Sequence, residues 1–144
     1  MNFSFNAQFA KRYGLREAIV LQGIIWWVLN NKHKNKNKRN GKHWTYNSAR
    51  AMSISFPFFS EQQITRALVS LEKQNALQVG NFNRMPNDRT KWYTLTNHLM
   101  QEVKENKTYK NWKFGQSKLT NHYQLEYTNF NNNNKETLNE EKPF

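Results

Sequence analysis

Cysteine is absent from the 144 residues, which excludes a disulfide framework, a thiol nucleophile and a Cys-based zinc site. Glycine occurs only five times, and no Gly-rich phosphate loop can be assembled from those positions. Acidic residues are scarce too: ten Asp and Glu face 22 Lys and Arg. Asp88 is the single Asp, in a turn whose capping is a sufficient role for it. The segment that carries the folding pattern adds only Glu17, Glu61 and Glu72, so it lacks paired carboxylates for acid–base work. The four histidines, His33, His43, His98 and His122, show no metal-ligand spacing. The chain therefore reads as a non-enzyme with no metal and no cofactor. Long apolar runs are missing as well. Residues 19–29 form the longest, broken by Gln22 and short of the roughly 18 residues a bilayer crossing needs. Lys11, Arg12 and Arg16 precede this run and a Lys-rich loop follows it, which is not a signal-peptide layout. No membrane contact is expected, and the location expected is the cytoplasm.

What the chain has in excess is positive charge, +12 at neutral pH. Residues 1–99 carry fifteen Lys and Arg against four acids, whereas residues 100–144 carry seven against six. The first part is thus the one suited to a polyanion, through counterion release and steering. A biased genome composition would also raise Lys and Asn together, and the 22 asparagines point to some such bias.

Apolar periodicity predicts a long helix over residues 14–31, with Leu15, Ile19, Gln22, Trp26 and Leu29 on one face and Val20, Ile24 and Trp27 on another. A helix apolar nearly all round is either central to its domain or covered by a second chain. The core reading is preferred, and a homodimer face formed by Val20, Ile24 and Trp27 is the alternative. Residues 30–43 hold six Lys and Arg and no apolar side chain. They are expected to form a solvated loop that buries nothing, either a spacer or an arm that tracks phosphates through Lys34, Lys36, Lys38 and Arg39. The histidines in this loop are more simply bystanders than ligands.

Trp44-Thr45-Tyr46 has strand-type residues, and Ser48 offers an N-cap for a short helix burying Met52 and Phe56 until Pro57 ends it. Ser60-Glu61-Gln62-Gln63 is a capping-box pattern opening a helix to about residue 74. Ile64, Leu68 and Leu71, with Ala67 beside them, define its buried face. Gln62, Arg66, Val69 and Lys73 then face outward, flanked by Gln63, Thr65 and Ser70. Gln suits adenine edges, Arg suits guanine or phosphate, and Ser or Thr suits either. Any surface helix shows polar residues outward, so the argument needs the neighbouring elements. Asn75 falls at a left-handed cap, Leu77-Gln78-Val79 begins a strand that Phe82 continues, and residues 90–95 return as a second strand. Arg84, Arg89 and Lys91 lie at or near the tip of that hairpin. Helix, strand, short helix, capped helix and hairpin in this order define a mainly α winged helix-turn-helix with a small β-hairpin over residues 1–96. Residues 97–115 read as a helical extension docking through Leu99, Met100, Val103, Tyr109, Trp112 and Phe114, and residues 116–144 as a low-complexity, disordered tail.

Four segments carry a family resemblance: Gly14-Leu15-Arg16-Glu17-Ala18-Ile19-Val20-Leu21-Gln22, then Trp44-x-Tyr46-Asn47-Ser48 and Phe56-Pro57-Phe58-Phe59-Ser60, and last Asp88-Arg89-Thr90-Lys91-Trp92-Tyr93. In order and spacing they resemble the N-terminal winged-helix domain of phage replication proteins of the replisome-organiser or replication-initiator type. The resemblance spans residues 13–95. It implies sequence-specific binding of double-stranded DNA in a phage or mobile-element replication-initiation module, assembly as a dimer or larger, and a bacterial host cytoplasm. Met52 replaces a bulky aromatic of the family pattern, and a C-terminal domain of the family that contacts helicase-loading components is not expected here. In this reading Gln62, Gln63, Thr65, Arg66 and Ser70 enter the major groove, while Lys73, Arg84, Arg89, Lys91 and the loop from Lys32 to Lys42 bind phosphates. Two other readings use the same surface: a phage transcriptional regulator on the same scaffold, and a phage interaction factor that captures a host or defence nucleoprotein complex. A replication or host protein bound through Tyr123, Tyr127 and Phe130 of the tail is a further expected partner.

Overall fold

The computed structural model describes residues 2–114, and the proposed tail, residues 116–144, lies outside them. Asn6 opens the first helix, α1 (Ala7–Tyr13), its side chain accepting from the Phe9 N–H at 3.1 Å. The chain then turns at Gly14, whose φ of +114° suits glycine, and enters α2 (Leu15–Lys34). A strand pair follows, β1 (Lys38–Arg39) and β2 (Lys42–His43), then α3 (Ala49–Ser55) and α4 (Glu61–Lys73). The second strand pair is β3 (Leu77–Gly80) with β4 (Trp92–Leu95), and α5 (Asn97–Glu105) and α6 (Lys107–Lys110) complete the order. The protein is mainly helical with small antiparallel hairpins. Leu77 pairs with Leu95 and Gly80 with Trp92.

Helix α2 lies at the centre. Helices α1 and α4 and strand β4 pack on it, and the segment after α5 runs along it: the Tyr109 hydroxyl donates to Gln22 Oε1 at 2.8 Å, and Phe114 meets Trp26 with ring centroids 5.5 Å apart. The expected homodimer face does not exist as a surface. Val20, Ile24 and Trp27 are 0%, 0% and 2% exposed within the core, where Trp27 also meets Phe56 edge-on at 6.2 Å. The other face is the more open one, with Leu15 exposed and Ile19 and Leu29 half-buried. Both sides of an all-round apolar helix are covered from within the chain, so no second copy is needed to cover it.

Residues 30–43 also depart from expectation. They do not form a featureless loop, because α2 continues to Lys34, and Asn30, Asn31 and Asn37 are buried. A buried amide is least costly where the backbone supplies its partner, as it does for Asn31, while the buried side-chain oxygens of Asn30 and Asn37 have no partner among the described residues. Asn31 Nδ2 donates to the Trp44 carbonyl at 2.8 Å, and the Trp44 N–H donates to the Asn37 carbonyl at 3.1 Å. Asn35, Asn37 and Asn40 have φ of 54°, 56° and 54°, a region that Asn tolerates better than other side-chained residues. Asn40 and Gly41 make the two-residue turn between β1 and β2, both with positive φ.

The remaining elements follow the expected signals closely. Ser48 caps α3 and Ser60 caps α4, and Ile64, Ala67, Leu68 and Leu71 are buried. Thr45 pairs with Tyr93, which joins the segment before α3 to β4. The β3–β4 strands are shorter than the pattern suggests, ending at Gly80 and resuming at Trp92. Leu99, Val103 and Tyr109 belong to the same buried cluster as α2, so the extension shares the core of the preceding residues.

The buried Tyr109 phenol is pushed up to about 12 by its burial and remains a donor to Gln22. Tyr109→Phe leaves Gln22 Oε1 without that donor and should lower unfolding stability by about 1–3 kcal/mol, read from urea denaturation; an unchanged midpoint would show that the bond contributes nothing.

Candidate nucleic-acid interface

Helix α4 projects from the capping box at Ser60. Its hydroxyl accepts from the Gln63 N–H at 3.1 Å, and Gln63 Oε1 accepts from the Ser60 N–H at 2.9 Å. Burial of Ile64, Ala67, Leu68 and Leu71 turns the opposite side out, so Gln62, Thr65, Arg66, Val69 and Lys73 are exposed along it. Val69, 38% exposed, is the apolar member of an otherwise polar row. Neither Arg66 nor Lys73 is ion-paired among the described residues.

The other two residues of the expected base-reading set are held by the fold. Gln63 has its carbonyl oxygen in the capping box, so a bidentate contact to adenine, which needs both amide atoms, is not open to it. Ser70 is half-buried and accepts from Gln74 Nε2 at 3.0 Å, and the same amide donates to the Tyr13 carbonyl at 3.0 Å. The pair fastens the end of α4 to the end of α1. Gln62, Thr65 and Arg66 remain as the polar atoms that α4 presents in its first two turns.

The connection between β3 and β4, residues 81–91, is organised around Asn83. Its Nδ2 donates to the carbonyls of Asp88 at 3.0 Å and Thr90 at 2.7 Å, and its Oδ1 accepts from Trp92 Nε1 at 2.7 Å. Asp88 caps the turn as expected, Oδ1 accepting from the Thr90 N–H at 3.0 Å. That bond and the carbonyl bond to Asn83 keep Thr90 out of the strand ladder. Phe82 packs edge-on against Trp44 and Trp92, with centroids 4.9 and 5.4 Å away. Arg84, Met85, Arg89 and Lys91 are exposed at this loop, Met85 at 54%. Burial, and secondarily the charge of Glu72 on α4, pushes the Tyr93 phenol of β4 up to about 12.

The expected phosphate arm divides. Lys34, Lys36 and Lys38 are exposed, whereas Arg39 lies over the Trp92 ring, its guanidinium carbon 5.4 Å from the centroid, and donates to the Lys38 carbonyl at 2.9 Å. Lys42 does not project into solvent: Nζ donates to Gln78 Oε1 at 2.7 Å and to the Leu95 carbonyl at 3.4 Å, and burial lowers its pKa. It joins β2 to β3 and β4. His43 Nδ1 lies 2.9 Å from the Lys36 carbonyl and His33 packs near Phe114, so both histidines support the local structure. No cluster of His, Asp and Glu able to hold a metal ion occurs among the described residues.

Two further hairpin features have a sequence signal of their own. Asn40-Gly41 is the strongest short hairpin signal in the chain, hidden within a run that polarity alone marks as a loop. Gly80 marks a close approach, since a Cβ there would lie 2.8 Å from the Phe82 ring and 3.1 Å from Trp44. Gly80→Ala should loosen the aromatic anchor of residues 81–91, seen as faster amide exchange at Asn83 and Thr90, while Gln63→Ala should lower stability by about 0.5–2 kcal/mol as a cap loss and leave base preference unchanged. Comparison of the chain with protein-family models, with curated proteins and with solved structures finds no match.

Proposed function

We propose that this protein binds double-stranded DNA, with α4 in the major groove and residues 81–91 on the backbone, on a winged helix-turn-helix scaffold. The observation that carries the reading is the outward row of a capped helix: Gln62, Thr65, Arg66 and Lys73 are exposed together, and neither cation is ion-paired among the described residues. Three further observations support it. The element order with Thr45 paired to Tyr93 is compatible with that scaffold. The loop after β3 is fixed by Asn83 and exposes Arg84, Arg89 and Lys91. The net charge of +12 suits a phosphate polymer.

Roles differ by residue. Arg66 forms a bidentate contact with a guanine edge, Gln62 takes an adenine, and Thr65 contacts either a base or the sugar–phosphate chain. Lys73, Arg84, Arg89, Lys91 and the exposed arm residues Lys34, Lys36 and Lys38 take phosphates, which fix register and carry no sequence information. The setting we propose, initiation of phage or mobile-element replication, rests on the resemblance of residues 13–95 alone. A transcriptional regulator would use the same contacts at a promoter.

Selection of bound sequences from random duplexes at two salt concentrations tests the reading. An enriched motif with a salt-dependent affinity is expected; a steep salt slope without a motif would reduce the function to phosphate contact, and no duplex binding at low salt would overturn it. Arg66→Ala should cost about 1–3 kcal/mol and relax preference at one position, whereas Lys91→Ala should weaken all sequences alike. Equal losses for Arg66→Ala on selected and random duplexes would refute its base-reading role.

A further inference from the structure

Averaged over residues 100–144 the charge is +1, and the average hides a separation. Between residues 104 and 113 stand Lys104, Lys107, Lys110 and Lys113 against the single acid Glu105, and all four lysines are exposed. The two carboxylates of α5 are occupied elsewhere: Glu105 accepts from Gln101 at 2.7 Å, and Glu102 receives both Arg12 guanidinium nitrogens at 2.8 Å. The folded chain adds a fifth cation, because the segment after α5 reaches the last turn of α2, where Phe114 lies 6.1 Å from the ring of His33, the neighbour of Lys32. Burial first, and then the Lys104 charge, lowers the pKa of Lys32. None of the five lysines is ion-paired among the described residues.

Two ammonium groups held together without a carboxylate repel each other, and an anion placed at both relieves that repulsion. Helix dipoles do not account for the whole set. The last carbonyls of α2 are already capped, by the Asn35 N–H on Asn31 and Lys32 and the Lys36 N–H on Asn31. Helix α6 has four residues, too few for a macrodipole that would attract Lys107 and Lys110. The chemistry of the surroundings narrows the partner. Among the described residues the exposed large apolar ones are Phe5, Leu15, Ile54, Phe58, Val69 and Met85, none of them on α5 or α6. A protein-binding or membrane-inserting surface would have an exposed apolar centre; here the apolar members, Trp112 and Phe114, are half-buried against the core and the exposed charges are cationic but for Glu105, which suits a phosphate chain. It is also continuous in sequence with Lys34, Lys36 and Lys38, which follow Lys32 directly.

We propose that Lys32, Lys104, Lys107, Lys110 and Lys113 form a second phosphate-binding surface that holds duplex DNA beyond the stretch read by α4 and residues 81–91. The inference rests on the duplex-binding reading and gives the C-terminal extension a binding role in addition to its packing.

The test uses the full chain and the Lys104→Gln/Lys107→Gln/Lys110→Gln variant, with equal unfolding midpoints as the control for folding. Each protein is titrated at several salt concentrations with a selected duplex trimmed to its motif, and with the same motif extended by about two helical turns on each side. On the extended duplex the variant should bind about 10–100-fold more weakly, with a log–log salt slope smaller by roughly 0.9 for each phosphate it no longer neutralises. On the trimmed duplex it should match the unaltered protein. Equal affinity and slope on the extended duplex would overturn the inference, as would an equal loss on both duplexes, which would place these lysines inside the motif. So would loss of binding to anionic vesicles with duplex binding intact, which would assign the surface to a membrane. In each case the duplex-binding reading would still stand if Arg66→Ala removed sequence preference; if the unaltered protein bound neither duplex, that reading would fail and this inference with it.

Discussion

Helix α2 is the constraint to which the rest of the chain answers. Residues 18–28 of this twenty-residue helix are apolar on nearly every side and cannot face water, and the elements around them serve as covers. Helix α1 folds back at Gly14, α4 and β4 close one side, and Tyr109, Trp112 and Phe114 close another. Gln22, buried amid this helix, shows how complete the cover is. Its oxygen receives the Tyr109 hydroxyl and its nitrogen donates to Ser4 at 3.3 Å, so segments near both limits of the described chain meet at one amide. What α4 presents outward follows from this. Its apolar stripe is consumed against α2 and α3, and the row through Gln62, Arg66, Val69 and Lys73 is the side left over.

Asparagine supplies much of the remaining geometry. An Asn-rich stretch reads as solvent-exposed composition when only charge and hydropathy are weighed, yet individual amides here hold specific positions. Asn35, Asn37, Asn40 and Asn75 take positive φ, where most side chains are strained. Asn31 binds the Trp44 carbonyl from within the protein, and Asn83 ties three groups across the β3–β4 connection. The same short side chain tolerates left-handed backbone at four positions and bonds backbone carbonyls at others, which lets a chain with five glycines turn this often.

These physical causes explain which features can be read from sequence. Ser48, Ser60 and the Ile64–Leu68–Leu71 spacing act through bonds and contacts within one or two turns, so the signals for α3 and α4 place them to within a residue. The cover of α2 comes from distant segments, Phe56 on Trp27, Tyr109 on Gln22 and Phe114 on Trp26, and periodicity carries no information about which face a distant segment will cover. Residues 30–43 escape a reading from polarity because polarity stands for solvation there, whereas Asn31 is buried with its amide on the Trp44 carbonyl and Asn37 is buried with its backbone carbonyl accepting from the Trp44 N–H. In the candidate interface Gln62, Thr65 and Arg66 emerge exposed as the helical phase requires. The roles of Gln63 and Ser70 turn on partners, one in the capping box and one in Gln74, of which the capping box alone is visible as a pattern.

The partners of the cations sort them more sharply than their positions do. Arg12 is bound to Glu102, Arg39 lies over Trp92, and Lys42 is bonded to Gln78 and the Leu95 carbonyl; each holds two elements together. Lys34, Lys36, Lys38, Arg66, Lys73 and the lysines of α5 and α6 join no elements in this way. The first group contributes through contacts between elements, of which the exposed Arg12–Glu102 pair is itself weakened by salt. The second contributes mainly repulsion to the isolated fold, over distances that salt screens within about 8 Å at physiological ionic strength. Salt should therefore relieve the repulsion within the unliganded protein and, on the proposed duplex-binding function, weaken its hold on the duplex, two opposite responses from the same unneutralised charges. On the proposed duplex-binding function, a set of charges that disfavours the fold in isolation has its physical rationale in what the protein binds, not in how it folds.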